Sequence, residues 1–268
     1  MLCLLTRSLL VPRHARYLSV SSKIKLDRLD RILSSRGAGS RSEVSRLINK
    51  GRVTINGVVV KKAAQKYESS VTDVRVNGVE VVPVPLLVAY NKPVGVISSI
   101  GDPSGRSNLS EIKNMYSYLK TMHPVGRLDR DTSGLLLFSR SGELTHTLLQ
   151  PKYAVEREYE AVVEGNVTSV SSLAEKLQSG VETTDGVFSA DLTACVAGSG
   201  SSRLQVVVRE GKHRMVRRML HNAGHSVMEL KRLRYGSVTL GDLPSGHCRG
   251  LTCVELEWIL NLTQHRHI

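Results

Sequence analysis

The stretch HPVGRLDRDTSGLLLFSRSGELTH, residues 123–146, holds the side chains best suited to chemistry. Gly126, Gly134 and Gly142 punctuate a polar loop that runs into an apolar strand over residues 135–138. Polar loops held at strand ends are where scaffolds usually carry reactive groups. Asp129 and Asp131 place two carboxylates in that loop. Paired carboxylates fit acid/base work at a glycosidic bond, but a two-residue spacing is equally ordinary in an Asx turn. Spacing alone does not decide between them.

A second stretch, EGKHRMVRRMLH from Glu210 to His221, reads as a helix over residues 213–222. At about 100° per residue, Met215, Val216, Met219 and Leu220 share one face, and Arg214, Arg217, Arg218 and His221 share the other. One arginine on such a face is ordinarily solvated. Three beside Lys212 favour an anion, because guanidinium pairs with carboxylate or phosphate in bidentate fashion.

The elements that must position these groups follow from pattern. Leu26, Leu29, Ile32 and Leu33 recur at helical spacing up to Gly37. Ser40 opens a second helix with Glu43 as its capping-box partner, and Gly51 ends it. Asn56-Gly57 and Asn77-Gly78, flanked by valines, signal two β-hairpins. A compact basic module is therefore expected over residues 23–82, followed by a proline linker at 83–85. Strands are expected at 86–90, 135–139, 158–163 and 204–208, and a helix at 143–149 closed by Pro151. Strands and helices do not alternate regularly, which favours an α+β fold with a mixed sheet over a doubly wound one.

Charge points to a partner. Among 268 residues, 37 Lys and Arg stand against 24 Asp and Glu, a formal net charge of +13. The excess is clustered. Twelve bases between Lys23 and Lys66 face only Asp27, Asp30 and Glu43, and nine between Arg203 and Arg234 face only Glu210 and Glu229. Two separate blocks favour an extended polyanion such as nucleic acid over a general solubility effect. Cys3, Cys195, Cys248 and Cys253 form no metal-ligand spacing, and no apolar run is long enough to span a bilayer. Residues 1–22 lack acids, carry Arg7, Arg13 and Arg16, and mix leucine with serine, the composition of an organellar transit peptide. Arg16-Tyr17-Leu18-Ser19 resembles a mitochondrial processing site, cleaved after Leu18, so the mitochondrion is favoured over the plastid. A disordered, uncleaved leader is the alternative.

Two resemblances join these observations. RLDRILSSRGAGSRSEVSRLINKGRVTINGVVV resembles the small RNA-binding domain named for ribosomal small-subunit protein four, which presents its second helix and following hairpin to structured RNA. That resemblance makes Arg28, Arg41, Arg46, Lys50 and Arg52 the expected phosphate contacts. GRLDRDTSGLLL resembles the signature of the pseudouridine synthases, in the Rsu-type branch that carries the same N-terminal domain. NKPVG at 91–95, REYEAVV around Tyr159, EGKHRMVRRML and LRYGSVTLGDLP follow in the family's order, so the likeness covers residues 26–256.

The family resemblance implies site-specific isomerisation of uridine to pseudouridine in RNA, expected to be organellar ribosomal RNA, without cofactor or metal. It implies a small helical and hairpin RNA-binding domain, then a mixed, largely antiparallel catalytic domain over 86–260 and a tail at 261–268. Asp129 matches the catalytic aspartate, Tyr159 the tyrosine under the target base, and Arg217 the basic residue that pairs with the aspartate. Arg127, Lys212, Arg214 and Arg218 are expected to contact RNA. Asp131 falls at an unspecified motif position, leaving one catalytic carboxylate of the two. Val94, Arg157 and Met215 depart from the commoner arginine, lysine and glutamine, and Val94 and Met215 bear on RNA contacts. The expected partner is structured RNA, bound by a monomer without a membrane. A non-catalytic RNA-binding or ribosome-assembly factor explains the basic blocks but leaves Asp129, Tyr159 and Arg217 without a role. A carboxylate-pair hydrolase explains the acids but not the charge.

Overall fold

A computed structural model describes residues 26–264 apart from 37, 69, 70, 72 and 82–85. The expected leader, the linker and the last four residues of the tail lie outside the described residues. The chain divides into two compact units, Met1–Leu86 with Lys113–Met122, and Leu87–Ile112 with His123–Ile268.

In the first unit, β1 (Leu26–Arg28) leads into α1 (Leu29–Ser35) and α2 (Arg41–Asn49). Leu26 thus lies on a strand and is exposed, whereas the helical stripe begins at Leu29. The difference has a local cause: β1 pairs with β4 (Lys66–Glu68), so its backbone partners lie across the ladder. α2 starts as expected, with Glu43 N donating to Ser40 Oγ and Ser40 N donating to Glu43 Oε2 at 2.8 Å. β2 (Val53–Ile55), β3 (Val58–Val60), β5 (Val74–Val76) and β6 (Val79–Glu80) form a sheet in the order β3-β2-β5-β6. Asn56 and Asn77 both have positive φ, as do Gly57 and Gly78, the conformation that two-residue hairpin turns require. Leu29, Leu33, Val44, Ile48, Val53 and Val74 pack as its core.

The second unit is built on a nine-stranded sheet. Its elements are β7 (Leu87–Lys92), α3 (Ser110–Met115, which crosses the division), β8 (His123–Pro124), β9 (Thr132–Ser139), α4 (Gly142–Leu149) and β10 (Arg157–Glu164). There follow α5 (Val170–Ser179), a hairpin of β11 (Val181–Thr183) and β12 (Gly186–Phe188), then β13 (Asp191–Ala197) and β14 (Ser201–Val208). The chain closes with α6 (Met215–Asn222), β15 (Val227–Tyr235), β16 (Val238–Thr239), β17 (Cys248–Gly250) and α7 (Cys253–Gln264). α7 runs into the stretch expected as tail.

The main path is β13-β14-β10-β15-β9-β7-β17, with β16 on β15 and β8 on β9. Every pairing is antiparallel except β9 with β15. That parallel contact sets Gly134 opposite Arg232, where a Cβ would sit 2.3 Å from the Arg232 carbonyl oxygen. Only glycine lets the two backbones approach this closely. Leu87, Leu135, Leu137, Leu144, Leu148 and Tyr235 belong to the core between sheet and helices. Emptying one such leucine to alanine costs about 2–5 kcal/mol. No helix among the described residues is long and apolar enough to cross a membrane.

Candidate active site

The loop between β8 and β9 carries Asp129, and its neighbours are tied down on both sides. Leu128 is buried, its N–H donates to Ser98 Oγ at 3.0 Å, and the same hydroxyl donates to Leu128 O at 2.6 Å. Gly95 N donates to Arg130 O at 2.7 Å and Arg130 Nε donates back to Gly95 O at 3.2 Å. Thr132 N closes a turn onto Asp129 O at 3.1 Å. The backbone of Asp129 is thereby fixed between two clamps while its half-buried side chain stays out of both.

The NKPVG segment supplies one of those clamps. Asn91 Nδ2 donates to Leu243 O at 2.7 Å, and Lys92 Nζ donates to Pro93 O and Val96 O, both at 2.8 Å. Lys92 is fully buried. Burial pulls its ammonium down to about 8, against the opposing charges of Asp129 and Asp131, while Arg232 pushes it further down. Val94 is exposed and takes no part in the clamp.

Tyr159 stands on β10 opposite Arg232 of β15. Arg232 is buried, donates from Nε to Leu135 O at 2.7 Å and from Nη1 to the Tyr159 hydroxyl at 3.4 Å. Its guanidinium lies 5.1 Å from the Tyr235 ring centre and 5.9 Å from that of Tyr159. The tyrosine therefore has a fixed hydrogen-bonded and stacked neighbour on its own sheet.

Arg214 and Arg217 converge on Asp131. Arg214 donates Nη1 to Oδ1 at 3.0 Å and Nη2 to Oδ2 at 2.8 Å, a two-pronged fork. Arg217 places Nε 3.4 Å from Oδ2, donates Nη2 to the Asp131 main-chain oxygen at 2.7 Å, and donates Nη1 to Val227 O at 3.1 Å. Burial alone would raise the Asp131 carboxyl; the Arg214 hydrogen bonds and both arginine charges together hold it below its ordinary value. Burial lowers Arg217, partly offset by the charges of Asp131 and Asp129. The pairing expected from sequence, Arg217 with Asp129, is replaced by Arg217 with Asp131. No side chain among the described residues donates a hydrogen bond to the Asp129 carboxylate.

The remaining expected residues separate into two kinds. Arg127 and Lys212 are exposed, as are Arg46, Lys50 and Arg52 of the first unit. Arg41 is exposed but lies 3.4 Å from Asp30, which Arg28 also grips. Arg218 is only partly exposed and is held by its own chain. It is bonded to Asp185, to Thr184 Oγ1 at 2.6 Å and to His213 O, which ties α6 to the tip of the β11–β12 hairpin. Met215 packs in the core, and Arg157 is buried with Nη2 donating to the Tyr235 hydroxyl at 3.2 Å. Sequence pattern does not single out Lys92, Ser98, Gly134 or Arg232 as site residues; Lys92 and Gly134 sit inside the quoted motifs, Arg232 just before one. No group of three or more His, Cys, Asp or Glu among the described residues is placed to hold a metal ion.

This geometry offers a half-buried carboxylate on a rigid loop, cations nearby to balance its charge, and a tyrosine fixed on the adjoining strands. Comparison with known proteins places it. The family model described as RNA pseudouridylate synthase matches residues 86–222, and the S4 domain matches residues 27–72. A ribosomal large subunit pseudouridine synthase B of Bacillus subtilis is 35% identical over 245 residues, covering 90% of this chain and 98% of the relative. An uncharacterised RNA pseudouridine synthase of Mycobacterium leprae is 40% identical over 228 residues, 84% of this chain and 88% of the relative. A crystal structure of a pseudouridylate synthase has the same fold, with a TM-score of 0.56 at 24% identity, covering 87% of this chain and 99% of that one. The chain belongs to the RNA pseudouridine synthases, in the branch that places an S4 domain ahead of the catalytic domain.

Proposed function

We propose that this isomerase acts on organellar ribosomal RNA and that Asp129 is its reacting carboxylate. In the reaction the N1–C1′ bond of a uridine breaks, the uracil turns, and C5 is joined to C1′. The hydrogen on C5 is lost and N1 gains one, so atoms balance without a cofactor. The observation that carries the assignment is the β8–β9 loop: a fixed backbone at residues 128–130 presents a half-buried carboxylate that accepts no hydrogen bond from the described residues, with the buried Lys92 ammonium near enough to feel its charge. The negative charge of Asp129 reaches both Arg214 and Arg217.

Tyr159 takes the target base. Extracting a uridine from its stack costs about a few kcal/mol, and stacking on an aromatic ring returns about 1–3 kcal/mol per base. Arg232 holds the Tyr159 ring for that contact. Arg127 and Lys212 in the second unit, and Arg46, Lys50 and Arg52 in the first, bind the phosphate backbone as a monomer's two basic surfaces. The acid-free leader carries the chain to mitochondria; a reporter fused to residues 1–20 that stays cytosolic, or enters plastids, refutes that assignment. The test of activity is incubation with unmodified transcripts of the organellar small- and large-subunit ribosomal RNA, followed by mapping of pseudouridine. One modified uridine is expected with wild type and none with Asp129→Asn. Product from purified Asp129→Asn refutes Asp129 as the reacting group.

A further inference from the structure

Two segments of chain are hydrogen-bonded to residues 128–130, and each carries an exposed apolar side chain. Gly95 bonds Arg130 through both its N–H and its carbonyl, and the residue before it, Val94, is 62% exposed. Ser98 bonds Leu128 N and O, and two residues on Ile100 is 53% exposed. A lone apolar side chain at a surface needs no explanation. Position sets these two apart. Of the large apolar side chains exposed among the described residues, only Val94 and Ile100 lie within two residues of a hydrogen bond to residues 128–130.

Neither backbone is free to tuck its side chain away. Lys92 Nζ holds Pro93 O and Val96 O, and Gly95, at φ 91°, lets the chain between them turn tightly with Val94 at the corner. Ile100 stands between Ser99, whose carbonyl accepts from Leu109 N at 3.0 Å, and Gly101, whose N–H donates to Ser110 Oγ at 3.0 Å. The Arg106 fork onto Asp102, 2.9 Å at both prongs, braces the same loop. Arg127 and Arg130, on the loop that bears Asp129, are exposed as well. Rigid apolar points beside free guanidiniums suit a partner with apolar faces and an anionic backbone. Stacked RNA bases are such a partner.

We propose that Val94 and Ile100 pack against the bases flanking the target uridine and hold their stack apart once that uridine has left it. This rests on the reading of the site as the place where RNA reacts. Apolar side chains set against base steps keep them unstacked, which offsets part of the cost of extrusion. Tyr159 serves the extruded base; these two serve the bases it leaves behind.

The test compares Val94→Ser, Ile100→Ser and Val94→Leu with wild type and with Val196→Ser, a control on β13 that is 64% exposed. Single-turnover rates are measured at saturating concentration of the transcript that wild type modifies. Unstacking is read in an Asp129→Asn background, on a hairpin cut from that transcript with 2-aminopurine beside the target uridine. Each serine variant is expected to slow the rate about 10-fold, the scale of one apolar side chain no longer buried, and to lose most of the fluorescence gain on binding. Val94→Leu keeps both. The salt dependence of binding should hold, because no charge is removed, and so should the melting temperature, because both side chains are exposed. Wild-type rates in both serine variants, an equal loss in Val196→Ser, a shallower salt dependence, or slowing with the fluorescence gain intact each overturns the proposal. Should a serine variant melt earlier, Val94→Thr and Ile100→Thr, which keep the branch at Cβ, decide by the same readouts. Wild type without product on any transcript overturns the reading of function, and this proposal with it. Turnover by Asp129→Asn overturns the role of Asp129 alone, and the rate measurements then decide for Val94 and Ile100.

Discussion

The arginines and lysines of the two units are the same residue types put to opposite uses. In the first unit, Arg46, Lys50 and Arg52 on and after α2 are exposed and have no acidic partner within ion-pair distance among the described residues. In the second, Arg214, Arg217 and Arg218 around α6 are each committed to a carboxylate of their own chain. An uncommitted surface cation is available to a phosphate and releases counterions when it binds one. A committed one is structural, because binding RNA would first require breaking its internal pair. Composition marks both stretches as basic; only the acids opposite them separate the cations left open to a polyanion from those held by their own chain.

Arg217→Met attacks the committed side most directly and should have the largest effect. It strips donors from Asp131 O and Val227 O and removes a nearly buried charge from beside Asp131. Turnover should fall at least about 100-fold and stability by about 3 kcal/mol, the scale of broken hydrogen bonds to a charged group, measured by single turnover and urea unfolding. Lys92 tests commitment by titration. Folded, its ammonium releases its proton at about 8, whereas the unfolded chain holds it to the ordinary 10.5. Between those values unfolding takes up a proton, so raising pH stabilises the fold, by on the order of 3 kcal/mol across the window. Urea unfolding of wild type and Lys92→Met at stepped pH should show that rise only in wild type.

The uncommitted side should answer in affinity and not in stability. Replacing Arg46, Lys50 and Arg52 together with alanine should lower the slope of log K against log[salt] by roughly 0.7–0.9 for each phosphate no longer neutralised. The melting temperature and the rate at saturating RNA should hold. An unchanged slope would place the RNA elsewhere. Arg218→Met should do least. Its pair with Asp185 is partly exposed, so about 0.2–1 kcal/mol of stability is expected to go. The salt slope should stay where it was; a shallower slope would return Arg218 to the phosphate contacts and blur the contrast.

Local signals in the sequence are readable because their partners are neighbours. The Ser40–Glu43 capping box and the two Asn-Gly turns are complete within four residues, and the structure has them in place. β15 is not legible from pattern because Lys231, Arg232 and Arg234 interrupt the apolar alternation that marks a strand, although Leu230, Arg232 and Tyr235 are buried. Its charges are absorbed by neighbours, Arg234 by Glu158 and Glu156 and Arg232 by backbone and rings, and nothing in a single strand's sequence announces that. The partner of Arg217 is hidden for the same reason. Asp131 lies 86 residues away, and two aspartates two positions apart are equivalent choices until the loop is folded.

The parallel contact between β9 and β15 also sets an order of assembly. Arg232 meets Leu135 across 97 residues of chain, and Arg214 meets Asp131 across 83, whereas in the first unit Arg36 meets Val81 across 45. Long loops must be closed before such pairings return any stability, so they form late. During synthesis the first unit can complete its sheet while β15 has yet to leave the ribosome. A nascent chain therefore acquires the exposed basic surface of its first unit well before Gly134 and Arg232 meet. Until they meet, the loop that bears Asp129 has no α6 to lean on.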